Sequence, residues 1–199
     1  MPSQLQLLQQ ATMRLDVKAS IWLSRLRVVP KFVPILDIRN MVSPATRKLI
    51  DDPPPQSSWM PGAAIIELDP ALYDLRGADA CARCSRECSE VAGNTILRSI
   101  TEGMLRLFGT SPATLFERMN QVVSTSVRGV EYVYTAQTAK SGRMLVRYPQ
   151  CSNLPHSVFV AISGGLAGTF GFLGLTGSVA PPDANQLPPR NAATYLIRW

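Results

Sequence analysis

The chain has 199 residues, 46% of them hydrophobic, and a formal net charge of +6. That length fits one domain with a sizeable core (residues 15–199) behind a helical extension (residues 1–14). The basic charges are scattered, with Arg39, Arg47 and Lys48 the nearest to a cluster, so the composition speaks against a nucleic-acid footprint.

Ser3 to Arg14 reads as the helical extension, with Leu5, Leu8 and Met13 set among glutamines. Asp16 to Val29 carries Val17, Ile21, Trp22, Leu23 and Leu26, an amphipathic helix that Pro30 ends. Ser43-Pro44 is a cap followed by a proline at the first helical position and predicts a short helix to Ile50. Pro53-Pro54-Pro55 makes a loop. Pro61 opens the helix of Ile65, Ile66 and Leu68, Asp69-Pro70 restarts it, and Gly77 closes it. Asp79 to Val91 is a further helix, separated by Gly93 from the next.

Asn94 to Pro149 reads as helix, turn, helix, hairpin. Ile96, Leu97, Ile100, Met104, Leu107 and Phe108 form one helical stripe; Leu115, Phe116, Met119, Val122 and Val123 form a second after Ser111-Pro112. From Val130 the period becomes two. Val130, Tyr132 and Tyr134 oppose Glu131, Val133 and Thr135, and Met144, Val146 and Tyr148 alternate beyond a turn at Lys140-Ser141-Gly142.

Ser157 to Ala180 holds no charged residue and is long enough to span a bilayer. Its six glycines, and the one-sided placing of Val158, Phe159, Ile162, Leu166, Phe170 and Leu173, favour a buried helix lying closely on a sheet over a membrane span. Ser178 to Ala180 is a short strand. Pro181 to Arg190 is a polar loop, and Ala193 to Trp199 a closing strand. The sum is an α+β domain: a helical N-terminal half on a small, mostly antiparallel, four-stranded sheet.

Four cysteines without a signal peptide point to a reducing, cytoplasmic setting. Cys81, Cys84 and Cys88 recur at i, i+3, i+7, with Cys151 downstream. Four thiolates can hold zinc or an iron–sulfur cluster. The helical spacing favours packing instead, because metal knuckles sit on turns. Arg83 and Arg86 beside these thiols open a redox reading as well. His156, the only histidine, has no nucleophile motif around it, and hydrolase, P-loop and dinucleotide fingerprints are absent. The residues point to a non-enzymatic protein. Trp59, Met104, Phe108, Met119, Tyr132, Tyr134 and Phe159 are the candidate walls of a pocket for an apolar small molecule, oriented by a tyrosine hydroxyl. A filled core serving a protein-interaction scaffold is the competing reading.

Four stretches carry a family resemblance: Val17-Lys18-Ala19-Ser20-Ile21-Trp22-Leu23-Ser24-Arg25, Ser57-Ser58-Trp59-Met60-Pro61, Leu107-Phe108-Gly109-Thr110-Ser111-Pro112, and the hairpin with Tyr148-Pro149-Gln150-Cys151. Together they resemble a myxobacterial paralogous family of unknown function. That family is similar in element order to the superfamily of vinyl-reductase-type domains, TRAPP core subunits and haem–NO-binding domains. The resemblance implies a sensory or scaffolding domain that pairs as a homodimer and takes a small apolar molecule between helices and sheet. Ala19 stands where the resemblance implies glycine, and Pro70 falls in a helix it implies to be continuous. Its haem-binding branch implies a histidine on a helix and a Tyr-x-Ser-x-Arg clamp. The clamp is absent and His156 adjoins Pro155 at a helix start, so haem is disfavoured.

Overall fold

The computed structural model of the chain describes residues 14–95, 103, 111–184 and 190–199. Apart from Arg14, the N-terminal extension lies outside the described residues. So does the stripe of Ile96, Leu97, Ile100, Met104, Leu107 and Phe108.

Asp16–Lys18 forms a strand, β1, where the periodicity predicts the first turn of a helix. The cause is tertiary. β1 lies between β2 (Trp59–Pro61) and β3 (Val127–Arg128), antiparallel to both, and the Lys18 N–H donates to the Ser126 carbonyl at 2.8 Å. Ladder pairing with segments far along the chain overrides the local helical pattern. Helix α1 then runs Ala19–Val28 and turns through a 3-10 segment at Val29–Lys31 into α2, Ile35–Met41. Helix α3, Pro44–Asp51, starts as its sequence predicts: Ser43 Oγ accepts from the Thr46 N–H at 3.3 Å, and Pro44 occupies the first turn. Trp22 is fully buried and donates from Nε1 to the Leu49 carbonyl, tying α1 to α3.

Helix α4, Ala63–Thr95, is two helical runs that meet at Gly77, the residue that the sequence marks as a helix end. Asp69-Pro70 lies inside it, and the break falls at Gly77, whose φ of 80° belongs to the region glycine tolerates best. Next come α5, Pro112–Glu117, and α6, Met119–Ser124. The second predicted stripe is thus split at Arg118, which has left the helical region (φ −97°, ψ 6°).

The hairpin is β4, Glu131–Thr138, and β5, Ser141–Arg147, with Tyr132 opposite Val146 and Tyr134 opposite Met144. Helix α7, His156–Leu173, follows, then β6, Ser178–Val179, β7, Asp183–Ala184, and β8, Ala192–Arg198. The order is β4-β5-β8-β6 with β7 also on β8, all antiparallel. Among the described residues the sheet therefore has five strands rather than four, and β1–β3 make a second, three-stranded one. Two- and three-residue strands are too short to show a period.

The glycine-bearing helix α7 explains how the layers join. A Cβ on Gly164 would collide with the Ala82 carbonyl oxygen, and one on Gly168 would stand 2.6 Å from that of Arg86. The small-residue face of α7 therefore lies on α4. Phe159 and Phe170 turn instead to the sheet core of Met144, Tyr195 and Ile197. A second core gathers Trp22, Val28, Ile38, Met60, Leu68 and Leu72 under the N-terminal helices. Among the described residues no helix is long and apolar enough to cross a membrane.

Candidate functional site

Between these two cores the structure leaves a cavity of about 220 Å³. Its walls come from both halves of the chain. Val17 and Ile21 close one side, Ile65, Ile66 and Ala92 of α4 another. Leu115, Met119, Val122 and Val123 line it from α5 and α6. Val130, Tyr132 and Tyr148 face it from the hairpin, and Ala161, Ile162, Gly165 and Leu166 from α7. Gly165 is one reason the space exists: a Cβ built there meets no atom within 4 Å.

The α1 and α4 side carries Ser24, Arg25, Asp69, Ser85, Cys88 and Ser89, and further hydroxyls come from Ser126, Tyr132, Tyr148 and Thr169 on the other walls. Arg25 Nη1 donates to Asp69 Oδ1 at 2.7 Å, with side chains 13% and 5% exposed. A pair so buried loses hydration that its mutual attraction only partly returns. Burial pushes the Asp69 carboxyl up to about 6 even though the Arg25 charge pulls the other way. Burial pushes Arg25 down, but the facing Asp69 charge together with the nearby Cys88, Cys84 and Cys81 sulfurs more than offsets it, so the guanidinium stays charged. Ser24 Oγ is occupied, donating to the Ser20 carbonyl. Ser85 Oγ is buried with no hydrogen-bond partner.

Tyr132 is held in register from outside the sheet. Asn120 Nδ2 donates to the Tyr132 carbonyl at 2.6 Å, and Asn120 Oδ1 accepts from the Tyr132 N–H at 2.7 Å. One side chain thereby satisfies both main-chain groups at the start of edge strand β4. Burial raises the Tyr132 phenol to about 12, so its hydroxyl is neutral at physiological pH.

Of the seven residues proposed as pocket walls, Met119 and Tyr132 meet at this cavity. Tyr134 shares the strand face of Tyr132 but lies further along it, stacked on Phe116 with centroids 5.9 Å apart. Phe159 is in the sheet core, where its carbonyl accepts from the Tyr195 hydroxyl. Trp59 is on the other sheet, with the Arg128 guanidinium 3.9 Å from its ring centroid and the Lys18 ammonium at 4.6 Å, a cation–π clamp. Met104 and Phe108 lie outside the described residues.

The cysteines are all free and buried, but they do not converge. Cys81 packs with Val160 and Ala161 of α7, Cys84 and Cys88 belong to the N-terminal core, and Cys151 to the sheet core. Among the described residues no group of three or more His, Cys, Asp or Glu side chains is placed to hold a metal ion. Arg83 and Arg86 point outward, paired with Asp79 and Glu90. Burial, and then the Asp69 charge, push the Cys81 thiol up; a hydrogen bond to Cys88 and burial do the same to Cys84. For Cys81 and Cys84 this is opposite to what a reactive thiolate needs, whereas the hydrogen bond with Cys84 moves Cys88 down.

Arg25, Asp69, Ser85 and Asn120 are the residues that sequence reasoning passed over. Asp69 reads as a cap because Pro70 follows it. Nothing local joins it to Arg25, 44 positions away.

No protein-family model matches the chain, and no curated protein matches its sequence. Its fold does have counterparts among solved structures. The Fe(II) unliganded H-NOX protein from K. algicida superposes with a TM-score of 0.57 at 10% identity, over 91% of this chain and 95% of that one. An oxygen-binding H-NOX domain related to soluble guanylate cyclases, in its oxygen complex, gives 0.59 at 8% identity, covering 91% and 94%. A singly substituted H-NOX from T. Tengcongensis gives 0.56 at 7% identity, covering 91% and 96%. The class these likenesses define is one of architecture: the chain has the α+β fold of H-NOX domains. They support the haem–NO-binding branch of the resemblance, as a fold.

Proposed function

We propose that this protein is a non-enzymatic, sensory small-molecule-binding module that uses the H-NOX architecture for an apolar ligand other than haem. The observation that carries the reading is the cavity itself. Interiors are normally close-packed, so about 220 Å³ of space lined mostly by aliphatic groups is a feature to explain. It lies between helices and sheet, with a few polar groups among apolar walls, the usual make-up of a ligand site.

Haem suits these residues poorly. The single histidine, His156, is exposed at the start of α7 and does not line the cavity. Among the described residues the cationic side chain on the wall is Arg25, and it is already neutralised by Asp69. No step through haem is therefore derived.

Thermal unfolding with and without saturating toluene tests the reading, because a ligand that binds only the folded chain stabilises it by mass action, by about 2.7 kcal/mol at a hundredfold excess over Kd. An unchanged midpoint would count against it. A substitution that fills the space, Gly165→Leu, should abolish the shift. The reading includes a homodimer, as the family resemblance implies. Sedimentation that shows a monomer at every concentration would remove that part.

A further inference from the structure

We infer that the cavity takes a neutral, hydroxyl-bearing apolar molecule of roughly nine heavy atoms, its hydroxyl bonded to Ser85 Oγ. The inference rests on the ligand-binding reading above and adds the class of ligand.

Size follows from proportion. If about 150 Å³ holds the six carbons of benzene, then about 220 Å³ holds roughly nine heavy atoms. Position follows from Ser85. It is 2% exposed, it lines the cavity, and its Oγ has no partner. Buried hydroxyls are nearly always bonded, and one without a partner on a residue that lines a cavity is the group that a ligand's polar end would satisfy. Of the other aliphatic hydroxyls of the lining, Ser24, Ser126 and Thr169 each have a partner already.

Charge follows from Arg25 and Asp69. The pair is internally neutral and shares the wall with Ser85. An ionised carboxylate would compete with Asp69 for Arg25 and bring an uncompensated charge into an apolar space, and an ammonium would do the same with the opposite sign. Hydroxyl rather than ketone or ether follows from the mix of groups. Guanidinium and serine supply donors, whereas carboxylate and serine supply acceptors. An alcohol uses both kinds; a ketone or an ether leaves the acceptors unmet. The remainder of such a molecule rests on Leu115, Met119, Val122 and Val130.

Calorimetric titration of the whole chain and of Ser85→Ala with 2-phenylethanol, ethylbenzene and phenylacetate at neutral pH is the test. The wild type should bind 2-phenylethanol most tightly and phenylacetate most weakly. Ser85→Ala should lose about three- to tenfold in 2-phenylethanol affinity, the worth of one hydrogen bond, and keep its ethylbenzene affinity. Equal 2-phenylethanol affinity in the two proteins, or tighter binding of phenylacetate than of the alcohol, overturns the inference. Binding of ethylbenzene as tight as the alcohol in the wild type overturns it too, while leaving the cavity reading intact. If no probe binds, both readings fall. The wild-type ranking decides the matter even if Ser85→Ala does not fold.

Discussion

Gly164 rests directly on the carbonyl oxygen of Ala82, whereas the next residue, Gly165, faces open space. Two adjacent glycines on one helix thus have opposite surroundings. Gly164→Ala forces α7 away from α4 and should cost about 1–3 kcal/mol, as overpacking usually does. Gly165→Ala adds a methyl where nothing opposes it and gains helix propensity, so it should stabilise by about 0.5–1 kcal/mol. Urea unfolding of both variants checks the pair. Equal signs would show that the two helices are not in close contact.

The Asp69 carboxyl is raised from its ordinary 3.8 to about 6, first by burial. A group that holds its proton more tightly when folded stabilises most below its unfolded pKa, and that stability is lost as pH rises through the folded pKa. Asp69 therefore withdraws roughly 3 kcal/mol between about pH 4 and pH 6. Asp69→Asn lacks the titration, so it should gain on the wild type by that amount over the same window. Parallel stability curves for the two proteins would refute the assignment.

Asn120 is exposed, yet it satisfies both main-chain groups of Tyr132. Asn120→Ala should cost about 1–2 kcal/mol and weaken toluene binding several-fold, because Tyr132 would no longer be fixed at the cavity wall. Asn120→Asp keeps the acceptor only and should fall between. Calorimetry and thermal unfolding, read together, separate the two effects. Loss of stability with unchanged toluene affinity would mean that Tyr132 does not shape the cavity.

Titration with haemin should produce no saturable absorption change at one equivalent, and Gly165→Leu should leave that spectrum as it is. A sharp Soret band that depends on Cys88 or Tyr148 would show that the cavity opens far enough to admit a porphyrin and ligate it. The non-haem reading would then be withdrawn.

Much of this architecture is written in local order. The alternation through Tyr132 and Val146, the closing strand at Ala193, Tyr195 and Ile197, and the Ser43-Pro44 start all follow from periods of two or 3.6 and from capping chemistry. The glycines of the uncharged segment likewise announced a helix lying close on a neighbour, since only the absence of a Cβ permits that approach. Which neighbour was another matter: α4 rather than the sheet, because the phenylalanines of the opposite face already fill the sheet core. The strand at Asp16–Lys18, the salt bridge of Arg25 with Asp69, the unmet hydroxyl of Ser85 and the hold of Asn120 on Tyr132 belong to the tertiary structure alone. The strand, the salt bridge and the Asn120 contacts join residues many positions apart, and a one-dimensional pattern reports only what a residue does to its own turn or strand. A cavity is the extreme case. It is a place where side chains fail to meet, and no residue's identity records the distance to a partner it never reaches.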